Sequence, residues 1–290
     1  MLLETVAYAR PDTNAEALEL LSSTDGAAPL AGGQSLVNVL KHRVASLDLL
    51  VDISRLDELR EVRRTPDGGL EIGACVTYDD LDHSDEVRAS HRLLADVAGH
   101  IEDQQIRDRG TIGGNCCLSD PTNNLPPLLV ALNATMVIAS AQGERDVPAE
   151  DFFHGYFATA VDEGELLTRI RVPSLPTDAG AGYSSVAVGA DSKAIARAAA
   201  VVSGNGTIAQ ARVVLACVSP IPVRHKGMED SLRGAQPDPE AIRAAAESIG
   251  PDLEPLGDAH GSVEYRRAMA RVTAQRAVTQ AIGKGGPHSG

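Results

Sequence analysis

The sequence predicts an α+β protein in which two subdomains precede a C-terminal domain made of an antiparallel sheet and three helices. Three observations support this fold class. A glycine turn followed by a helix start occurs at residues 32–41 and again at residues 110–132. A segment rich in proline and glycine, residues 173–180, is typical of a domain boundary. Beyond it, Ser203-Gly204-Asn205-Gly206 is a strong hairpin signal between two apolar stretches. We therefore expect domains at residues 1–56, 57–176 and 177–290.

The first subdomain is expected to combine strands with helices. A capping signal at residues 11–16 opens a helix whose apolar positions include Leu18 and Leu21. A strand then leads into the glycine turn Gly32-Gly33-Gln34-Ser35. The remaining predicted elements are a strand at residues 27–31, a helix at residues 36–41 and a strand at residues 46–53.

The second subdomain is predicted from similar signals. The turn Asp67-Gly68-Gly69 precedes an apolar strand, and Thr77 is a suitable helix cap. Asn123 and Asn124 are candidate caps for a further apolar helix, because Pro126 and Pro127 suit its first turn. The predicted strands are residues 70–76, 135–139 and 166–172, and the predicted helices are residues 78–81, 86–100 and 126–132.

The third domain is predicted to hold the hairpin and the final helices. Its strands are expected at residues 195–202 and 208–218, and its helices near residues 224–233, 239–249 and 262–282. Residues 285–290 are expected to be disordered. The chain has no Trp and only eight other aromatic residues, so Ala, Val and Leu must fill the core.

Charge and composition exclude several classes of function. The chain has 26 Lys and Arg against 40 Asp and Glu, a net charge of −14, which disfavours nucleic acid and anionic membranes as partners. No stretch approaches the ~20 apolar residues of a membrane span, and the N-terminus lacks the pattern of a signal peptide. We therefore expect a cytoplasmic protein. The adjacent Cys116 and Cys117 could form a redox pair, but small buried thiols are the simpler interpretation.

The two glycine turns predict a binding site for an extended anion. Glycine lets a ligand approach the backbone because it has no Cβ, and successive N–H groups in such turns form an anion site. Neither turn has the spacing of a Rossmann fingerprint or a P-loop. Two unlike glycine turns suggest one long ligand held at two places, with a diphosphate as the expected group. A tight turn without a ligand is the alternative for either turn alone.

The sequence around both turns resembles the FAD-binding medium subunits of molybdenum hydroxylases, the family of xanthine dehydrogenase and carbon monoxide dehydrogenase. Ala31-Gly32-Gly33-Gln34-Ser35-Leu36 is similar to the first flavin loop of that family, and Arg109-Gly110-Thr111-Ile112-Gly113-Gly114-Asn115 is similar to the second. The resemblance continues through residues 147–153 and 165–173 to Glu264-Tyr265-Arg266, so it covers nearly the whole chain. It implies a two-subdomain FAD-binding fold of the PCMH type before the C-terminal flavoprotein domain.

The resemblance also implies which residues contact FAD. Because neither glycine turn offers an attachment residue, we expect FAD to be bound without a covalent link. Ile101 and Leu167 correspond to apolar positions beside the cofactor, although core packing explains them nearly as well. Asn124 stands where relatives usually have an aspartate that binds ribose hydroxyls; an amide oxygen can still accept there. The implied FAD-binding residues are Ala31, Gly32, Gly33, Gln34, Ser35, Leu36, Ile101, Thr111, Ile112, Gly113, Gly114, Asn115, Asn124 and Leu167.

Other basic and titratable groups are less informative. Arg107 and Arg109 flank the second turn, where phosphate contact and ordinary surface pairing are both open. Relatives carry a lysine and a tyrosine near the flavin ring, and the segment 182–193 has no clear counterpart of either; Lys193 is the candidate replacement. No side chain is singled out as catalytic, and no histidine or cysteine has the spacing of metal ligands.

The resemblance further implies an electron-transfer subunit of an oxidoreductase. Its partners would be a large subunit with a molybdenum cofactor and a small subunit with [2Fe-2S] clusters, assembled as a dimer of heterotrimers. No cysteine set in this chain could hold such a cluster. Two alternatives stay open: a free-standing FAD oxidoreductase with its own substrate, and an assembly subunit without flavin, which the changes at residues 184–193 suggest.

Overall fold

The computed structural model describes residues 4–189, 193–250 and 253–283. The chain forms two compact units, the first from Met1–Leu118 with Ala134–Pro173 and the second from Ser119–Asn133 with Ser174–Gly290. Helices and sheets occur in both, which confirms the predicted α+β class. The three-domain division stays a prediction, and the predicted disorder of residues 285–290 concerns residues outside those described.

The N-terminal part of the first unit is built on a small parallel sheet with strand order β1-β3-β2. The Thr13 hydroxyl accepts a hydrogen bond from the Glu16 N–H and so caps the first helix. Carboxyl ends of parallel strands meet at one edge of a sheet, so the first glycine turn, which follows β2, lies at that edge. The elements are β1 (Ala7–Ala9), α1 (Asn14–Ser23), β2 (Ala27–Leu30), α2 (Leu36–Lys41) and β3 (Leu49–Asp52).

The next part of the chain supplies one hairpin and a series of helices. The predicted cap at Thr77 is confirmed, because its hydroxyl accepts from the Asp80 N–H while the Asp80 carboxylate accepts from the Thr77 N–H. The predicted turn is also present, with Gly68 at φ 85°. The elements are β4 (Val62–Arg64), β5 (Leu70–Gly73), α3 (Tyr78–His83), α4 (Asp85–Gly99), α5 (Gln104–Arg107) and α6 (Ile112–Leu118), preceded by a 3-10 helix at Asp57–Leu59.

A single helix of the second unit, α7 (Leu125–Ala131), then interrupts the first unit. After it the chain completes an antiparallel five-stranded sheet with strand order β4-β5-β10-β6-β7. Strand β10 alternates as a half-buried strand should: Ile170 and Val172 are buried, while Arg169 and Arg171 face outward toward acidic partners. The elements are β6 (Thr135–Ser140), β7 (Gly143–Pro148), α8 (Ala149–Phe152), β8 (Phe153–Gly155), β9 (Ala158–Thr159) and β10 (Leu166–Val172).

The C-terminal part of the second unit, from Ser174 onward, has the predicted antiparallel sheet, in strand order β11-β12-β13-β14, with three helices among its described residues. Its first strand was not predicted, because the glycines of residues 179–187 obscure the strand pattern. Gly182 allows α11 to lie against that strand, since a Cβ there would be 2.0 Å from the Ala277 carbonyl oxygen. The elements are β11 (Ala179–Ala187), β12 (Ala194–Ser203), β13 (Gln210–Ala216), β14 (Val223–Arg224), α9 (Lys226–Leu232), α10 (Pro239–Ala246) and α11 (Val263–Ile282).

Small apolar side chains fill the core of this second unit, as the composition requires. Ala196, Ala198 and Ala200 of β12 are fully buried, and so are Ala270 and Ala274 of α11. Among the described residues, no helix is both long and apolar enough to cross a membrane.

Candidate functional site

The first glycine turn presents a row of backbone donors. Gly33 has φ +72°, the left-handed conformation that favours glycine. Within the described part of the chain, no hydrogen bond uses the backbone N–H groups of residues 33–36. The Gln34 side-chain amide donates to the Gly32 carbonyl at 3.2 Å, and the Ser35 side chain is exposed. Residues 33–36 therefore have the unpaired donors that a diphosphate requires.

The second glycine segment differs from the expectation. Residues 110–115 were expected to form a turn between elements, and this is wrong, because Ile112–Leu118 is helix α6. The N–H groups of Ile112 and Gly113 donate to the carbonyls of Val76 and Ala74 at 3.0 and 2.9 Å, which ties the helix start to the chain leaving β5. Neither Gly113 nor Gly114 is among the described glycines with positive φ. Backbone conformation therefore does not require glycine at these two positions, and the close approach of neighbouring atoms is the remaining reason.

A Cβ at Gly113 and a Cβ at Gly114 would meet different neighbours. A Cβ at Gly113 would lie 2.6 Å from the Ala74 Cβ, so packing within the chain explains that glycine. Gly114 is exposed, and a Cβ there would meet one atom of the described structure, the Thr111 hydroxyl oxygen, at 2.9 Å. That hydroxyl accepts from the Gly114 N–H at 3.1 Å. Packing against the buried Thr111 hydroxyl therefore already disfavours a Cβ at Gly114, while the rest of its surroundings in the described structure is open.

The fold brings the two glycine segments together. A Cβ at Gly32 would lie 1.9 Å from the Arg109 carbonyl oxygen and 3.1 Å from the Gly110 Cα. The two backbones therefore touch at a point where no side chain fits between them. This contact places the two predicted diphosphate-binding segments side by side in the first unit.

Sequence reasoning missed Tyr78, which lies under the second glycine segment. Its backbone N–H donates to the Gly110 carbonyl at 2.9 Å, and its hydroxyl accepts from the Asn115 side-chain amide at 3.0 Å. Burial raises the pKa of Tyr78 to about 12. The capping signal at Thr77 located the helix, but nothing local in the sequence indicates that the next side chain reaches residue 115.

The other predicted site residues of the first unit occupy ordinary packing positions. Ile101 and Leu167 are buried, with 3% and 2% of their surface exposed. Ala31 is partly buried against the cluster that contains Val51, and Leu36 begins α2 half-buried. These positions agree with core packing and leave their predicted contact with the cofactor untested.

Asn124 belongs to the second unit and does not act as the predicted cap. It precedes α7, yet its side chain makes no capping hydrogen bond there because its backbone is already helical, with φ −82° and ψ −42°. Its carbonyl instead accepts from the Tyr183 hydroxyl at 2.9 Å. In the same unit Lys193, the candidate replacement near the flavin ring, pairs with Asp120 at 2.6 Å. Asp191 and Ser192 of that segment lie outside the described residues.

Of the two arginines that flank the second glycine segment, one pairs within the chain and the other is exposed and could contact phosphate. Arg107 is held by the chain itself, donating to the carbonyls of Ile101 and Glu102 at 3.2 and 2.7 Å. Arg109 is exposed, directly beside the contact between the glycine segments. Arg109 is therefore the better placed of the two to meet an anion.

The cysteines are free thiols. Burial raises the pKa of Cys75 to about 12 and holds the pKa of Cys116 well above its usual range. Such thiols are poor nucleophiles and poor metal ligands. In the parts of the chain that are described, no group of three His, Cys, Asp or Glu residues is arranged to hold a metal ion.

Comparison with known proteins agrees with this architecture. Residues 4–175 match the family described as the FAD binding domain in molybdopterin dehydrogenase. Residues 183–281 match the CO dehydrogenase flavoprotein C-terminal domain. Together these matches define a class of protein, the flavoprotein subunits of molybdopterin-dependent dehydrogenases.

Individual relatives are similar over almost their full length. The chain is 36% identical to the glyceraldehyde dehydrogenase medium chain of Sulfolobus acidocaldarius, over 93% of this chain and 96% of the relative. It is 36% identical to the carbon monoxide dehydrogenase medium chain of Hydrogenophaga pseudoflava, over 94% and 96%. Among solved structures, a chain of the reconstituted CO dehydrogenase from Oligotropha carboxidovorans matches with a TM-score of 0.94 at 34% identity, covering 98% of this chain and all of that one.

The chain therefore belongs to the family of FAD-binding medium subunits of molybdenum hydroxylases. It is an oxidoreductase subunit, and FAD is the cofactor of its family. The resemblance seen in the sequence is confirmed.

Proposed function

We propose that this chain is the electron-transfer subunit of a molybdenum-containing hydroxylase or dehydrogenase. It would hold FAD and pass electrons from iron–sulfur clusters on a partner subunit to an external acceptor. The observation that carries the proposal is the meeting of two glycine segments at Gly32 and Arg109, beside four backbone N–H groups without acceptors in the described chain. Bound FAD supplies the redox chemistry, and the protein supplies position and electrostatics.

The two segments suit different parts of this task. Residues 33–36 would donate to the diphosphate, because hydrogen bonds to a charged group stabilise by about 1.5–3 kcal/mol each. The N–H groups of residues 112–115 already donate within the chain, so the second segment would contribute a close surface at Gly114 in place of backbone donors. The exposed Arg109 would add positive charge. The roles of Ile101, Leu167 and Asn124 stay predictions.

The family and the cysteines of this chain support the partners that we propose. Relatives carry names such as medium chain, which imply larger and smaller companions. We propose a large subunit with the molybdenum cofactor and a small subunit with [2Fe-2S] clusters, in a dimer of heterotrimers. The cysteines Cys75, Cys116, Cys117 and Cys217 do not have cluster spacing. Free thiols are typical of reducing compartments, and we place the complex in the cytoplasm.

The test is purification of the tagged chain from its native host, followed by absorbance spectroscopy and metal analysis. We expect oxidised-flavin bands together with two co-purifying chains that carry molybdenum and iron. A colourless chain that does not bind added FAD would instead support an assembly role. A yellow chain that oxidises an organic substrate alone, at roughly 1–1000 turnovers per second, would support a free-standing oxidoreductase.

A further inference from the structure

One buried residue, Tyr78, contacts both ends of the second glycine segment, through its backbone and through its side chain. At the first end its backbone N–H donates to the Gly110 carbonyl at 2.9 Å. Its ring also lies against that glycine, because a Cβ at Gly110 would be 2.5 Å from the ring carbon Cε2. At the other end the Asn115 amide donates to the Tyr78 hydroxyl at 3.0 Å. A single residue therefore bridges residues 110 and 115.

Tyr78 is itself held firmly. It is the first residue of α3, and the reciprocal hydrogen bonds between Thr77 and Asp80 fix the start of that helix. Both Tyr78 and Asn115 keep only 6% of their surface exposed. A buried hydrogen bond between well-packed side chains restricts the backbone that carries them, because no water is available to replace the partner if the bond breaks.

The restriction extends to the first glycine turn. Gly110 follows Arg109, whose carbonyl touches the backbone at Gly32. A shift of the second segment would therefore displace the first, where residues 33–36 hold their unpaired N–H groups. Binding is strongest when donors are already in place, because ordering them on binding costs free energy.

We infer that Tyr78 is a positioning residue that holds both glycine segments in the geometry that receives the FAD diphosphate. The inference rests on the proposed function. Tyr78 acts through Asn115 and Gly110, since its side chain is buried.

The experiment compares FAD dissociation constants of the purified full chain, measured by flavin fluorescence. Tyr78→Phe removes the hydroxyl and keeps the ring, and we expect binding about two- to tenfold weaker, the effect of one hydrogen bond. Tyr8→Phe is the control: the same change in the same unit, at an exposed tyrosine whose hydroxyl donates to Asp52 and has no described hydrogen bond to either glycine segment. Its affinity should equal that of the parent.

A second comparison separates positioning from general stability. In an Asn115→Ala background the hydrogen bond is already lost, so adding Tyr78→Phe should change affinity by less than a factor of two. Thermal midpoints without FAD are recorded for all variants.

The outcomes separate the two hypotheses. A parent chain that does not bind FAD overturns the proposed function. If the parent binds and Tyr78→Phe binds equally well, only the positioning role fails. The positioning role also fails if the tyrosine change weakens binding to the same extent in both backgrounds. Should Tyr78→Phe not fold, Asn115→Ala removes the same hydrogen bond from the other side, and parent-like affinity in that variant overturns the inference.

Discussion

Adding a single methyl group at Gly32 should disable the proposed cofactor site. In Gly32→Ala the new Cβ would be 1.9 Å from the Arg109 carbonyl oxygen, whereas ordinary contacts begin near 3.4 Å. One backbone segment must therefore move by roughly 1.5 Å, about three times the width of the 2.7–3.2 Å range over which N–H···O hydrogen bonds form. Overpacking of this kind costs about 1–3 kcal/mol of stability.

The loss of affinity should be much larger than the loss of stability. If the movement removes two hydrogen bonds to the diphosphate, at about 1.5–3 kcal/mol each, FAD binding weakens by about 10²- to 10⁴-fold. The assay is titration of FAD by flavin fluorescence, with circular dichroism to confirm folding. Gly155→Ala is the matched control, because a Cβ at Gly155 meets nothing within 4 Å. A folded Gly32→Ala protein with parental affinity would refute the role assigned to the contact between the segments.

The remaining predictions concern the same cofactor and the stability of the first unit. Gly114→Val should abolish FAD binding in a folded protein, because its Cβ would lie 2.9 Å from the Thr111 hydroxyl oxygen and its side chain would fill the exposed surface of α6. Asn124→Ala should weaken binding only about tenfold, and equal effects of the two changes in fluorescence titrations would contradict this. Denaturing the holoprotein should release all flavin into the supernatant, and colour retained by the precipitated chain would show a covalent link. Burial lowers the pKa of His91 below the ordinary histidine value of 6.5, despite the hydrogen bond to the Pro173 carbonyl. Below about pH 6.5 the unfolded chain therefore binds a proton that the folded chain resists, and stability falls. The thermal midpoint of the parent should drop more steeply from about pH 7.5 to about pH 5.5 than that of His91→Gln, and parallel curves would count against this assignment.

Most local elements could be predicted from the sequence because their signals are local. Thr13 and Thr77 cap helices through hydrogen bonds to residues three positions away. The turn at Gly68 and the alternation along β10 likewise depend on near neighbours. Where long-range contacts decided the outcome, prediction was weaker: β11 is a strand because it pairs with β12 along its whole length, despite its glycines.

The sequence by itself determined that two glycine segments suited to an anion are present, and that they resemble those of a known flavoprotein family. Only the tertiary structure decided that the segments touch, that the second begins helix α6, and that Tyr78 lies beneath it. It also decided that Ser119–Asn133 packs with the second unit. The physical reason is that such contacts join residues far apart in the chain. Gly32 meets Arg109 because the fold places their backbones together, and no sequence pattern local to either residue reports that distance.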